Sequence, residues 1–242
     1  MKYELYYWPQ IQGRGEFIRL ALEEGAADYV DVARMPGTRG MGEAAMMRLM
    51  DEAPAGRVPF APPFLKAGKL VIAQTANILQ FLGPRLGLVP KAEATRLWAH
   101  QLQLTIADWV AEVHDTHHPI AGSLYYEEQK REAKRRAADF RTARLPKFLD
   151  YFEQVLARNP KGARYVLGKR ISYVDLSLFQ MIAGLRYAFP RAMARLEPKY
   201  PRLVALHDCV TARPRISAYL SSKRRRPFNQ QDLFRHYQEL DG

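Results

Sequence analysis

The chain has 242 residues, 48% of them hydrophobic and 26% charged, the balance of an ordinary globular protein rather than a disordered one. Charged or polar residues break every hydrophobic run before it reaches the roughly 18 apolar residues of a membrane span, and a single cysteine, Cys209, excludes an intrachain disulfide framework and any zinc site built on paired thiolates. Lysine and arginine outnumber aspartate and glutamate by 37 to 25, a formal charge of +12, which favours anionic partners without choosing among them.

The first nine residues hold no continuous apolar segment and no small-residue cleavage site, and Glu4 and Glu16 argue against a transit peptide, so a cytoplasmic protein is expected. Residues 3–8 alternate as a strand, with Tyr3, Leu5 and Tyr7 on one face and Glu4, Tyr6 and Trp8 on the other, and Pro9 ends it. A turn over 10–15 leads to a helix over 16–24, where Phe17, Leu20 and Ala21 fall at helical spacing and Gly25 is the stop. A second short strand is expected over 29–32, a loop over 35–42 and a short helix over 44–50. Residues 61–65 and 69–72 have the spacing of a hairpin, and a helix over 74–82 follows, closed by Gly83 and Pro84.

From Glu93 onward the pattern is long helices, with Trp98, Leu102, Ile106, Trp109 and Val113 along one stripe. The shift predicts an α/β domain over 1–85, a linker over 86–92 and an all-α domain over 93–242. The basic runs 130–136 and 223–226 read as a solvated helix face and a mobile tail. No aromatic-basic recognition module accompanies them, so no nucleic-acid partner is expected.

Strand, loop, helix, strand, hairpin, helix is a thioredoxin-like order, and the absence of Cys-x-x-Cys excludes dithiol chemistry. Tyr7-Trp8-Pro9 with Gly13-Arg14 and Phe17-Ile18-Arg19-Leu20, then Pro63-Phe64-Leu65, Gly68 and Gln74-Thr75, resemble the N-terminal half of the soluble glutathione S-transferases of the tyrosine type. Arg144 to Glu153, Ser172-Tyr173-Val174-Asp175-Leu176 and Pro201 to Leu220 resemble their helical half, so the resemblance spans nearly the whole chain. It implies a transferase, with a detoxifying role, that uses glutathione as co-substrate and a small hydrophobic electrophile as acceptor, works as a homodimer and needs no metal. A non-catalytic binder on the same fold is the alternative.

Glutathione is an anionic peptide whose thiol, near the reference pKa of roughly 8.5, is mostly protonated at neutral pH. A phenol at a rigid strand end, donating more strongly to S⁻ than to SH, lowers that pKa. The resemblance gives this role to Tyr7; Tyr6, on the other strand face, is the competitor. It also makes Pro63 the cis-proline whose preceding residue pairs with the peptide through backbone N–H and C=O. Here that residue is Pro62, which has no N–H, and Val58-Pro59 is the other possible register. Gln74 and Thr75 open a helix whose free amides and dipole suit the γ-glutamyl carboxylate. Arg14 is implied on the glutathione side, Arg39 or Arg48 for the glycyl carboxylate, and Asp108 for the amino group across the dimer. Trp8, Ile106, Trp109, Val113 and His114 are implied to line the electrophile pocket.

Gly13-x-Gly15 lacks the third glycine and the acidic residue of a dinucleotide loop. His114, His117 and His118 read as a helix end or pocket lining rather than as metal ligands. Ser172-x-x-Asp175 reads as a capping box.

Overall fold

The computed structural model describes residues 1–52 and 58–242. Four strands, β1 (Tyr3–Tyr6), β2 (Tyr29–Asp31), β3 (Phe64–Ala67) and β4 (Leu70–Ala73), form one sheet in the order β2-β1-β3-β4. β1 runs parallel to β2 and antiparallel to β3, and β3 antiparallel to β4. The parallel pair is joined through α1 (Gly15–Glu24), as a parallel connection requires. The hairpin sits later than the sequence pattern suggests. Its strands begin after Pro62-Pro63, because two consecutive prolines offer no ladder N–H, and its turn is closed by Gly68 at φ +63.

Both sheet faces are covered, which accounts for apolar residues at every position of β1 except Glu4. Tyr3, Leu5, Leu65 and Ala67 meet Ile18 and Leu22 of α1 and Ile78 and Leu82 of α3 (Thr75–Arg85). Tyr6 and Phe64 pack on the other side with Met46 of α2 (Glu43–Asp51). Gly83 and Pro84 lie inside α3 rather than ending it. Pro84 is tolerated because it falls in the last turn, and Gly83 is needed because a Cβ there would meet the Tyr173 ring at 2.8 Å.

Beyond Arg85 the chain is helical: α4 (Glu93–Asp115), α5 (Lys130–Asp139), α6 (Leu145–Ala157), α7 (Tyr173–Ala188), α8 (Pro190–Leu196), α9 (Pro201–Thr211), α10 (Pro214–Leu220) and α11 (Gln238–Asp241). α5 runs into α6 through a π segment, Phe140–Arg144, placed just before Pro146, whose missing N–H cannot continue the α ladder. α7 is buried on nearly all sides. Its start is the capping box expected from Ser172-x-x-Asp175: the Asp175 carboxylate accepts from Ser172 N at 2.7 Å and from Val166 N at 2.9 Å, and the Ser172 hydroxyl accepts from Asp175 N at 3.4 Å. No described helix is long and apolar enough to cross a membrane.

The two basic runs have different fates. Lys130, Arg131, Lys134 and Arg135 lie exposed on the outer face of α5. Residues 223–226 are not a mobile tail: Arg225 Nη1 reaches Glu16 Oε1 at 2.7 Å and Arg224 Nη2 reaches Glu23 Oε2 at 3.0 Å, joining the C-terminal segment to α1. The acids they meet lie 201 and 209 residues earlier.

Candidate functional site

β1 delivers Tyr7 to the end of the sheet. The β1–β3 ladder pairs Tyr6 with Phe64, and the β3–β4 ladder pairs Phe64 with Ala73. One residue further along each strand, Tyr7, Pro63 and Gln74 share the same sheet edge, above which α1 and α3 both begin. The β1–β3 pairing thus places Pro63 rather than Pro59 in the register that faces Tyr7, and the cis peptide is Pro62–Pro63.

The Tyr7 side chain is buried at 5% exposure and its ring lies under the glycine loop. Its hydroxyl oxygen accepts the Arg14 backbone N–H at 2.9 Å. The hydroxyl proton has no acceptor among the described residues and remains available to donate. Burial pushes the phenol pKa up, against the pull of the Arg14 amide and the Arg14 and Arg19 charges, so the group stays a protonated donor at neutral pH. Gly13, at φ +46, lies directly over the hydroxyl, and any Cβ there would collide with it; Gly15 is equally tight, with a Cβ position 2.6 Å from the Tyr7 ring. The two glycines singled out as a failed dinucleotide pattern are therefore the roof of Tyr7.

Tyr6 is committed elsewhere. It stacks on Phe64 at 4.8 Å and donates to Glu4 Oε2 at 2.6 Å on the opposite sheet face.

Gln74 precedes α3 with φ +68, a left-handed conformation disfavoured for a side chain with a Cβ, and caps no amide. The first-turn amides of α3 have no intrahelical acceptor, and they open on a cavity of about 270 Å³ lined by Arg14, Gln74, Thr75, His100, Ile106 and Val110 among others. The Thr75 hydroxyl donates to the Arg14 carbonyl at 3.4 Å, a long bond that a better acceptor can displace. Arg14 thus touches the site twice, its amide on Tyr7 and its side chain along the cavity.

The other expected residues disperse. Trp109 and Val113 belong to the core of the helical half, not to a cleft: Trp109 is fully buried and stacks between Phe148 at 5.1 Å and Phe152 at 5.9 Å. Ile106 turns to the cavity beside Thr75, and Trp8 packs with Tyr6, Phe64 and Met46 on the far sheet face. His114 is half-buried, and burial, with the nearby Arg14 charge second, lowers its pKa. Arg48 and Arg39 are exposed, on α2 and on the loop before it, and Asp108 is exposed on α4.

His117 is buried; its Nε2 lies 3.0 Å from the Leu233 carbonyl and its Nδ1 2.5 Å from His118 Nδ1. Among the described residues no group of three histidine, cysteine, aspartate or glutamate side chains is arranged to hold a metal.

Two features of the site left no mark in the sequence. Arg19 is buried in α1, with Nε 2.6 Å from Asp31 Oδ2 and Nη1 3.1 Å from the Gln12 carbonyl. Asp232 is 2% exposed and accepts the amides of Gln12 at 3.1 Å and Gly13 at 2.7 Å. Partners 219 residues apart give no periodic signal.

The family model described as "Glutathione S-transferase, C-terminal domain" matches residues 114–223. A relative from Xenopus laevis, "Glutathione S-transferase P 1", is 29% identical over 225 residues, covering 92% of this chain and 93% of its own. "Glutathione S-transferase" of Plasmodium yoelii yoelii is 22% identical over 88% of this chain and 90% of its own. The solved structure of the Pi-class glutathione S-transferase of Onchocerca volvulus superposes with a TM-score of 0.69 at 23% identity, over 91% of this chain and 92% of that one, which places the four-stranded sheet and the helical half in the thioredoxin-like plus all-helical fold. With matches that run through both halves of the chain, and with a thioredoxin-like sheet that lacks the redox cysteines, the protein is similar to the glutathione S-transferases along most of its length.

Proposed function

We propose that the chain is a glutathione transferase in which Tyr7 stabilises the thiolate. The observation that carries the reading is the Tyr7 hydroxyl: buried, polarised by the Arg14 amide, and with its proton uncommitted at the sheet edge where Pro63 and Gln74 also lie. A neutral phenol that already accepts a hydrogen bond is a stronger donor, and donation to sulfur favours S⁻ over SH. The thiol proton passes to solvent, the sulfur forms a bond to an electrophilic carbon, and the electron pair of the bond that breaks leaves with the displaced group. The α3 amides and Thr75 hold the γ-glutamyl carboxylate. Pro62 offers only its carbonyl to the cysteinyl backbone, so one of the two strand-like hydrogen bonds is missing and the carboxylate ends dominate binding.

Thr75→Ala is expected to weaken glutathione binding by about 1 to 2 kcal/mol, the scale of a hydrogen bond to a charged group, as read by calorimetry; unchanged affinity moves the γ-glutamyl site away from α3. The two halves divide at 86–92 in this reading, and the functional unit is a homodimer in which Asp108 of one subunit reaches the glutathione of the other. Light scattering is expected to give twice the chain mass at micromolar concentration and Asp108→Asn to weaken glutathione binding; a monomer that binds glutathione fully contradicts the shared site.

The deciding experiment pairs retention on immobilised glutathione with turnover of a generic aromatic electrophile. Retention with turnover is expected. Retention without turnover identifies the non-catalytic binder instead.

A further inference from the structure

After α10 ends at Leu220, residues 221–237 form neither helix nor strand and run along the 9–13 loop. Arg226 Nε donates to the Pro9 carbonyl at 3.2 Å, Asn229 Nδ2 to the Gln10 carbonyl at 3.1 Å, and Gln12 Nε2 to the Arg226 carbonyl at 2.6 Å. Asp232 takes the next two backbone groups, the amides of Gln12 and Gly13, one on each carboxylate oxygen. The amide that follows in the chain is that of Arg14, and it is the one on the Tyr7 oxygen. Three consecutive N–H groups are therefore shared out, two to Asp232 and the third to Tyr7.

The segment that carries Asp232 is itself fixed. Phe234 is fully buried against Gly184 of α7, where no larger residue fits. The Leu233 carbonyl is held by His117, and Asp241 accepts the amides of Arg191 and Ala192 at the start of α8 at 2.8 and 3.1 Å. Glu16, the other buried acid nearby, is occupied by Tyr219 at 2.8 Å, Arg225 and Arg19, so it cannot replace Asp232 as acceptor for the loop.

We propose that Asp232 is a positioning residue for the thiolate step: anchored to the helical half, it sets the Gln12-Gly13 amides so that the Arg14 amide meets the Tyr7 hydroxyl. Losing either carboxylate oxygen leaves a buried N–H without an acceptor, and the loop moves to find one, taking the Arg14 amide with it. Small displacements of this kind change rate more than binding when the group they move acts on the reacting atom. The inference rests on the reading of Tyr7 as the donor to sulfur.

Asp232→Asn keeps the shape but presents an NH₂ group to one of the two amides. In this variant kcat for conjugation is expected to fall about tenfold and the thiol pKa of bound glutathione to rise by about one unit, with KM for glutathione within about twofold of the wild type and an unchanged circular dichroism spectrum. Combined with Tyr7→Phe it is expected to add little, since both changes remove the same polarised donor. A folded Asp232→Asn protein with wild-type kcat and thiol pKa overturns the proposal, as does a loss that adds in full to that of Tyr7→Phe, or one in which glutathione binding falls in parallel with kcat. Should Asp232→Asn not fold, the Arg226→Ala/Asn229→Ala protein, which releases only surface contacts to the same loop, is expected to raise the thiol pKa by a smaller amount; no change overturns the proposal. Full activity in Tyr7→Phe, by contrast, overturns the reading of Tyr7 itself, whatever Asp232 does.

Discussion

Tyr7→Phe is expected to lower the conjugation rate about a hundredfold, roughly 3 kcal/mol of transition-state stabilisation, the usual cost of removing one oriented donor from a developing anion. The ring is retained, so the contacts with Gly13 and Gly15 and the position of the loop are kept, and the variant tests the oxygen alone. Glutathione affinity is expected to change little, because in this reading the γ-glutamyl carboxylate is held at the α3 amides and neither carboxylate end is held by Tyr7. Tyr6→Phe serves as the comparison. Its hydroxyl is bonded to Glu4 on the opposite sheet face, and its loss is expected to leave the rate within about twofold of the wild type. Steady-state kinetics with a generic aromatic electrophile checks both; equal rates in Tyr7→Phe and the wild type contradict the assignment.

The second large effect concerns acid stability. His117 Nε2 must carry the proton, since its partner is the Leu233 carbonyl, and Nδ1 then accepts from His118. Protonating Nδ1 would set two N–H groups against each other in a buried place. Burial, the Arg235 charge and the neighbouring histidines hold the His117 pKa down at about 2. In the unfolded chain the same ring takes up a proton as pH falls through roughly 6.5. The folded state stays deprotonated there, so the stability that His117 contributes is full above that pH and is lost as pH falls toward 2. Between pH 6.5 and 4 the loss amounts to about 3 kcal/mol. His117→Gln, which keeps an amide donor for Leu233 and does not titrate, is expected to flatten the fall by close to one proton in denaturant melts at a series of pH values. An unchanged slope shows that His117 is not the group that couples folding to acid. His118, held at about 4 mainly by burial, adds to the wild-type slope and remains in the variant.

Much of this geometry was open to reading because it is local. Alternation along residues 3–8 separates Tyr7 from Tyr6, and Ser172-x-x-Asp175 gives the start of α7; each depends on neighbours in sequence. The stripe of α4 was legible as apolar but not as to its destination. Helical spacing puts Ile106, Trp109 and Val113 on one broad face, and only packing distinguishes Ile106 at the cavity from Trp109 between Phe148 and Phe152. Pro84 was read as a stop because proline breaks a helix interior, whereas the last turn accommodates it. The larger misreading was the arginine run at 223–226. A cluster of like charge has no partner in its own stretch of sequence and so looks solvated, but Glu16 and Glu23 wait for it on α1. The same distance in sequence hid Asp232.

The most direct test of the account is the thiol pKa of glutathione bound to the wild-type protein and to Tyr7→Phe, followed by thiolate ultraviolet absorbance across a pH titration. The wild-type value is expected at least one unit below the free thiol's roughly 8.5, with a return toward the free value in Tyr7→Phe. A bound thiol that titrates like free glutathione, or one equally acidic in both proteins, would contradict it.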